Sequence, residues 1–415
     1  MTAHILFLSA ALSTERLSVI EEMFKARQGT RPDPAAAPDP GASDTCRIFL
    51  TGDAVYSLGE GELQQTWRSI LSFSGVRVIC DPEALGIRGY SAESLRGLYP
   101  PQTGAKIDCC ENSAARFWES LAASGVPPVT EVPPRVGWLE ISSPYMHASP
   151  GYGIRTLSAA LDAGCATSLY AFLDGCHISH TGQRPEECAN IGEALADLAR
   201  RAGKKNLPFT IMVNRNCAAA RGYATWDDGQ GTVVSLFAVK NAHIRDLESM
   251  VQHIGRCSVL LGENAGSVRF SSAPSRGAGS GEPGELPVVP LLLFVTHPPY
   301  GTEHMYGALT LAAACAHQGI PVRVVFCEDG VYALAGEQRP LPGSDAYLAT
   351  DLIGLLSGDK NIRFYALAPS IQKRGFTKNA KAGSVTEIGY AELAGLAFTP
   401  PVPEKCGDRQ RILMF

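Results

Sequence analysis

The sequence predicts an α/β protein made of three tandem small, doubly wound parallel-sheet domains. Two observations carry that expectation. Near-continuous apolar runs alternate with stretches of helical periodicity, the mark of parallel βαβ units whose sheet is covered on both faces. The chain also repeats itself. An apolar run ends in an Asp and a small residue at Thr51-Gly52-Asp53-Ala54-Val55-Tyr56, at Phe172-Leu173-Asp174-Gly175-Cys176-His177 and at Cys327-Glu328-Asp329-Gly330-Val331-Tyr332. Each copy later reaches Arg-Gly-aromatic, at Arg88-Gly89-Tyr90, Arg221-Gly222-Tyr223 and Arg374-Gly375-Phe376.

Taken in order, the first unit has a helix with Leu17, Ile20 and Phe24 on one face, then strands over Arg47–Leu50 and Val76–Ile79. In the second, a helix runs from about Gly153 to Ala163 with Ile154, Leu157 and Leu161 on one side. A strand over Thr167–Phe172 follows, then a long helix to about Ala202 and a strand over Phe209–Val213. In the third, Leu291–Val295 is a buried strand. Thr302 caps a helix whose apolar face is Met305, Ala308, Leu309 and Ala312, and Gly319 ends it. Val322–Phe326 is a strand, Tyr347–Leu356 a helix and Ile362–Ala366 a strand.

Two stretches read as linkers, the flexible Ala273–Glu285 and the Pro-rich Gly125–Pro134. They divide the 415 residues into units of about 1–124, 135–268 and 286–415, each of ordinary domain size. Arg31–Ser43 reads as a disordered insertion inside the first unit.

A composition of 45% apolar and 19% charged residues is that of a globular protein. A net charge of -5 gives no support to direct nucleic-acid binding. No secretory leader is visible at Met1–Ala10, and the longest apolar stretch, Leu286–Val295, is broken by Pro287 and Pro290. A cytoplasmic protein with no membrane span is expected. The 12 cysteines include no C-x-x-C, and most sit in apolar or helical runs as small buried hydrophobes. A metal site at Cys109-Cys110 lacks further ligands at zinc spacing.

In doubly wound sheets the site lies at the carboxyl ends of the strands. That puts Asp53, Asp174, Asp329 and the turn before each Arg-Gly on one rim. Only the middle copy carries a cysteine on that turn, Cys217. A helix N-terminus near Asn216, with Arg215 and Arg221, would lower its thiol pKa and make it nucleophilic. The plainer reading is a packed cysteine on a buried first turn. His177 and His180, beside Cys176, lie on the same rim and are candidates for proton transfer, against a reading as loop histidines without duty. The glycine turns at 149–153 and 297–302 match no nucleotide-binding motif and read as structural turns.

These residues resemble the DsrE/DsrF/DsrH (TusD/TusC/TusB) sulfur-relay family. The third unit resembles the DsrF/TusC type through Pro299-Tyr300-Gly301-Thr302, Glu328-Asp329-Gly330-Val331-Tyr332, Arg374-Gly375 and Arg411-Ile412-Leu413-Met414-Phe415. The second resembles the DsrE/TusD type through Gly151-Tyr152-Gly153 and Cys217-Ala218-Ala219-Ala220-Arg221-Gly222. The first resembles the DsrH/TusB type through His4-Ile5-Leu6-Phe7-Leu8-Ser9, Asp53-Ala54-Val55-Tyr56 and Arg88-Gly89-Tyr90. The resemblance implies a DsrH-DsrE-DsrF-like fusion of flavodoxin-like sandwiches that dimerises into a pseudo-hexamer. It implies sulfurtransferase activity without cofactor or metal. Sulfane sulfur would pass from a TusA-like or rhodanese-like donor through a cysteine persulfide to a DsrC/TusE-like acceptor, in sulfur oxidation or tRNA thiolation. In DsrE/TusD proteins the transfer cysteine lies seven residues before the Arg of Arg-Gly. Here that position is Asn214, and Cys217 lies four before. The seven-back positions of the other units are Asp81, next to the strand-end Cys80, and Leu367. The expected catalytic set is Cys217, Arg221, Arg215 and His177. The alternative is a non-catalytic scaffold for a sulfur-carrier partner.

Overall fold

The computed structural model describes residues 3–29, 45–59, 61–110, 114–124, 132–227, 232–235, 239, 241–269, 288–336, 348–399 and 409–415. The expected insertion at 31–43, the linker at 273–285 and most of the stretch 125–134 lie outside the described residues. The strands, in chain order, are β1 (Ala3–Leu8), β2 (Thr45–Leu50), β3 (Val76–Cys80), β4 (Ile107–Asp108), β5 (Arg135–Glu140), β6 (Ala166–Ala171), β7 (Phe209–Asn214), β8 (Ala224–Asp227), β9 (Thr232–Ser235), β10 (Ala242–Arg245), β11 (Val259–Gly262), β12 (Ala265–Arg269), β13 (Leu291–Val295), β14 (Val322–Phe326), β15 (Ile362–Leu367), β16 (Thr386–Ile388) and β17 (Arg409–Met414).

The middle of the chain forms a five-stranded parallel sheet in the order β10-β7-β6-β5-β11. The two outer thirds share a ten-stranded sheet, β16-β15-β14-β13-β17-β12-β1-β2-β3-β4. Its pairings are parallel except at β12, which runs antiparallel to both β1 and β17. β12 follows β11 through a turn at Glu263 and Asn264, where Asn264 takes φ 51°. The Asn264 amide oxygen accepts the Ser9 and Ala10 N–H groups at 3.1 and 3.3 Å. The middle segment thus supplies the strand that joins the outer two. β8 and β9 form a separate two-stranded antiparallel ribbon.

Alternate residues of the strands enter different cores, as the period-two geometry of a strand requires. Trp138, Leu169, Ala171 and Val213 pack with the helices Ser149–Asp162 and Ile191–Lys205. Leu139, Tyr170 and Met212 pack on the other face, with the helices Leu247–Gly255 and His304–His317. Leu293 and Val324 against Phe294 and Val325 divide the last third in the same way. The near-continuous apolar runs therefore belong to parallel sheets covered on both faces, the α/β class expected.

The helix contacts between thirds close a ring. Ala114–Ser124 packs on Ser149–Asp162, Leu247–Gly255 on His304–His317, and Tyr390–Phe398 on Thr14–Gly29. At the first of these contacts Trp118 stacks on Tyr152 with ring centroids 5.8 Å apart, and Phe7 meets Trp138 edge-on at 5.5 Å. Each such pair adds about 0.5–1.5 kcal/mol beyond the area it buries.

Three local expectations are corrected. Thr302 does not cap the helix of the last third: Glu303 is its N-cap, in αR conformation and without a side-chain bond to the first turn. The helix expected from Gly153 starts four residues earlier, with Pro150 in its first turn, where the missing N–H costs nothing. The long helix before Ala202 begins only at Ile191, because a 3-10 turn over Leu173–Ser179 and a loop precede it. Gly319 does sit just past its helix at φ 72°.

Candidate functional site

The three Asp loops are the same structure. Gly52, Leu173 and Glu328 begin them at φ 52°, 51° and 49°, a left-handed bend that costs a side-chain-bearing residue about 1 kcal/mol or more. The bend lets the next turn fold back under the preceding strand. Gly175 N–H bonds the Ile141 carbonyl and Gly330 N–H the Thr296 carbonyl, both at 3.1 Å. A Cβ at Gly175 would collide with the Glu140 carbonyl, and one at Gly330 with the Val295 carbonyl. This is why glycine follows Asp174 and Asp329, while the first copy accommodates Ala54.

Each Asp then receives the Arg of its Arg-Gly turn. Arg88 Nε donates to Asp53 at 3.1 Å, Arg221 Nε to Asp174 at 2.9 Å and Arg374 Nε to Asp329 at 2.9 Å. The rim placement of the Asp residues and the Arg-Gly turns therefore has a physical purpose: the ion pair ties the two loops together.

The loops differ in what lies beneath the pair. In the middle copy, Asn214 ends β7 and caps the short helix Arg215–Ala220, its side-chain oxygen accepting the Cys217 N–H at 3.0 Å. The position seven before Arg221 is thus a structural cap. Cys217 itself is half-buried and lines a cavity of about 480 Å³. The Cys176 thiol and the Leu173 N–H act on its sulfur as donors. These two donors, with the Arg221 charge, hold the Cys217 thiol below its ordinary pKa, against burial and the Glu303 carboxylate, which push it up. Cys176 is fully buried, and burial together with its bond to Cys217 raises its pKa well above normal. It stays a thiol, with the Ala171 carbonyl 3.4 Å from its sulfur.

The last third completes this site. Glu303 pairs with Arg221 at 2.6 Å, and Tyr306 and Gly307 line the cavity. A Cβ at Gly307 would stand 2.6 Å from Leu173 Cδ1, so the missing side chain lets the helix His304–His317 lie on the loop. Neither Glu303 nor Cys176 was on the expected list. Glu303 is 82 residues from Arg221, and no local pattern brings them together.

In the last third the equivalent place is filled. Ser370 stands where Cys217 does and accepts the Glu328 N–H at 3.1 Å. Glu15 of the first third binds Ser370 Oγ and, at 3.1 Å, Arg374. Burial would raise the Glu15 carboxyl, but Ser370, Arg374 and Lys373 hold it below its usual range. In the first third the equivalent residue is Ala84 and the cap is Asp81, bonded to Thr51 Oγ1 at 2.6 Å. Cys80 is buried, its pKa pushed up by a bond to Cys109 and by burial.

Of the expected catalytic set, Arg221 and Cys217 come together. Arg215 acts on Asp246, whose carboxyl it helps to lower, and does not line the Cys217 cavity. His177 bonds Tyr223 Oη and stands 3.9 Å from Asp174. With His180 and Cys188 it lines a neighbouring cavity of about 630 Å³. Burial and Arg221 depress its pKa. Among the described residues, no three His, Cys, Asp or Glu side chains are placed to hold a metal ion, and no helix is long and apolar enough to cross a membrane.

Residues 290–399 match the model of the DsrE/DsrF-like family. Cys217 lies outside that match. No curated protein matches the chain. Among solved structures, the ychN protein from E. coli is similar at 20% identity, over 31% of this chain and 99% of that one, with a TM-score of 0.26.

Proposed function

We propose that the chain is a sulfur-relay protein in which Cys217 carries sulfane sulfur as a persulfide. The observation that carries this reading is the state of Cys217. It is a thiol lowered in pKa by two hydrogen-bond donors and an arginine, open to a cavity at the junction of two thirds of the chain. A thiolate that is both stabilised and reachable is what persulfide exchange requires. The DsrE/DsrF-like match in the last third agrees with it.

The Cys217 thiolate attacks the terminal sulfur of a donor persulfide, and the donor leaves as its thiolate. The acceptor's thiolate then attacks the terminal sulfur on Cys217, which leaves in turn as thiolate. Both steps exchange one S–S bond for another and need no cofactor. Arg221 offsets the negative charge in each step, and Asp174 and Glu303 hold it in place. His177, one Asp174 away, tunes that network rather than touching sulfur.

On this reading the units 1–124, 135–268 and 286–415 are DsrH-, DsrE- and DsrF-like domains, tied in fixed ratio and order. The protein works in the cytoplasm between a TusA-like or rhodanese-like donor and a DsrC/TusE-like acceptor, as a homodimer that forms a pseudo-hexamer. The test is to incubate it with a cysteine desulfurase and cysteine and to map added sulfur by mass spectrometry. A gain of about 32 Da on Cys217, lost in Cys217→Ser, supports the carrier. Sulfur spread over many cysteines, or none, sinks it.

A further inference from the structure

We propose that Cys176 is a resolving thiol for Cys217: when no acceptor collects the sulfur, it converts the Cys217 persulfide into a Cys176–Cys217 disulfide and releases hydrosulfide. The step rests on the persulfide reading above and adds a second outcome at the same site.

Two independent features point to it. The first is placement. Cys176 is 0% exposed, so no partner protein reaches it, yet Cys217 packs against the same core cluster and the Cys176 thiol is the largest influence lowering the Cys217 pKa. The Cys176 sulfur lies 3.4 Å from the Ala171 carbonyl, to which the thiol can donate, and 3.9 Å from the carbonyl of Asn214, the residue that caps the helix carrying Cys217. The second is the internal comparison. The same loop position is Val55 in the first copy and Val331 in the last, both fully buried. Valine and cysteine are close in size, so packing alone asks for either. The thiol stands only in the copy whose overlying residue is a cysteine; beneath Ala84 and Ser370 the position is valine.

The chemistry balances without an oxidant. Cys217–S–S⁻ and Cys176–SH give Cys217–S–S–Cys176 and HS⁻. The Cys176 sulfur bonds to Cys217 Sγ, the bond from Cys217 Sγ to the terminal sulfur breaks, and that sulfur leaves with the electron pair and the Cys176 proton. The terminal sulfur is reduced and the Cys176 sulfur is oxidised, while Cys217 Sγ keeps the oxidation level it had in the persulfide. A dithiol reductant resets the pair. Because the Cys176 thiol is held protonated, the release is slow enough for an acceptor to compete: a thiol far above ambient pH attacks through a small thiolate fraction.

The full chain is loaded with a cysteine desulfurase and cysteine, stripped of donor, and followed by intact mass and hydrosulfide assay. The wild type is expected to lose the adduct of about 32 Da, to release one hydrosulfide per chain and to end about 2 Da below the reduced mass, with a 176–217 disulfide in the peptide map. Cys176→Ser, and Cys176→Ala in case serine disturbs the loop, should keep the adduct on the order of tenfold longer and release no stoichiometric hydrosulfide. A parallel arm treats the reduced protein with diamide, a thiol oxidant that needs no persulfide, and is expected to form the same disulfide. Equal adduct lifetimes in wild type and variants overturn the release step alone. A Cys217 that takes no sulfur, with the diamide disulfide present, overturns the carrier reading and the release step with it. No 176–217 bond under either treatment overturns the pairing.

Discussion

Glu140→Gln should remove a loss of stability that the wild type suffers between pH 5 and 8, so that the variant is the less stable protein at pH 5 and the more stable near pH 8. Glu140 ends β5, fully buried, and its carboxyl accepts from Trp138 Nε1 and Ser142 N–H at 3.0 Å each and from Ser149 Oγ at 3.1 Å. Burial outweighs these donors and pushes its pKa up to about 8 from an ordinary 4.5. The folded protein therefore holds a proton there that the unfolded chain gives up. The stability this confers is full below pH 4.5 and is lost as pH rises to about 8. A gap of about 3.5 units at ~1.4 kcal/mol each is about 5 kcal/mol. Glutamine cannot titrate, and its amide leaves one of the two N–H donors, Trp138 or Ser142, without an acceptor at every pH, a constant cost of about 1–3 kcal/mol. At pH 5 the variant should be the less stable; near pH 8 it should be the more stable by about 2–4 kcal/mol. Urea midpoints of both proteins at half-unit steps of pH measure the crossing. Parallel curves would refute the reasoning, because they would mean that Glu140 is ionised in the fold.

Arg221→Ala should raise the Cys217 pKa, since the arginine lowers it and its loss also frees the Glu303 carboxylate, which raises it. Alkylation of Cys217 by iodoacetamide at pH 7 should slow on the order of tenfold; an unchanged rate would show that the two hydrogen-bond donors suffice. Gly175→Ala should cost about 2–4 kcal/mol in a denaturant titration, because its Cβ meets the Glu140 backbone, whereas Ala54→Gly in the first copy should cost under about 1 kcal/mol. Glu15→Gln should cost about 3 kcal/mol by breaking a buried pair with Arg374, while sulfur loading of Cys217 is retained. Its carboxyl is lowered, so the stability it gives is present at neutral pH and is lost as pH falls through the acid range.

The strand and helix content was legible because parallel strands buried on both faces leave long apolar runs. The recurring Asp and Arg-Gly were legible as a rim because period and topology place them there. What failed was direction. Arg215 and Cys217 are two residues apart on one helical turn, about 200° around its axis, so one faces Asp246 and the other the cavity. His177 reads as a neighbour of the thiol in the sequence, yet it turns to Tyr223. Glu303, Tyr306 and Gly307 were invisible because the site is completed across a packing interface, which no local pattern encodes. Cys176 was in plain view but ambiguous, since a buried cysteine and a valine serve a core equally well.

The placement of β12 between β1 and β17 has a consequence for synthesis. A chain leaving the ribosome has made β1 hundreds of residues before β17, and the middle segment's last strand finds its first neighbour long before its second. Until Arg409–Met414 emerges, one side of β12 and one side of β13 are open edges, each able to pair with a neighbouring nascent chain. Expression yield should therefore depend on how well those two edges are shielded during translation, and a stop codon just before residue 409 should send the product to the insoluble fraction although it removes only the last strand and Phe415.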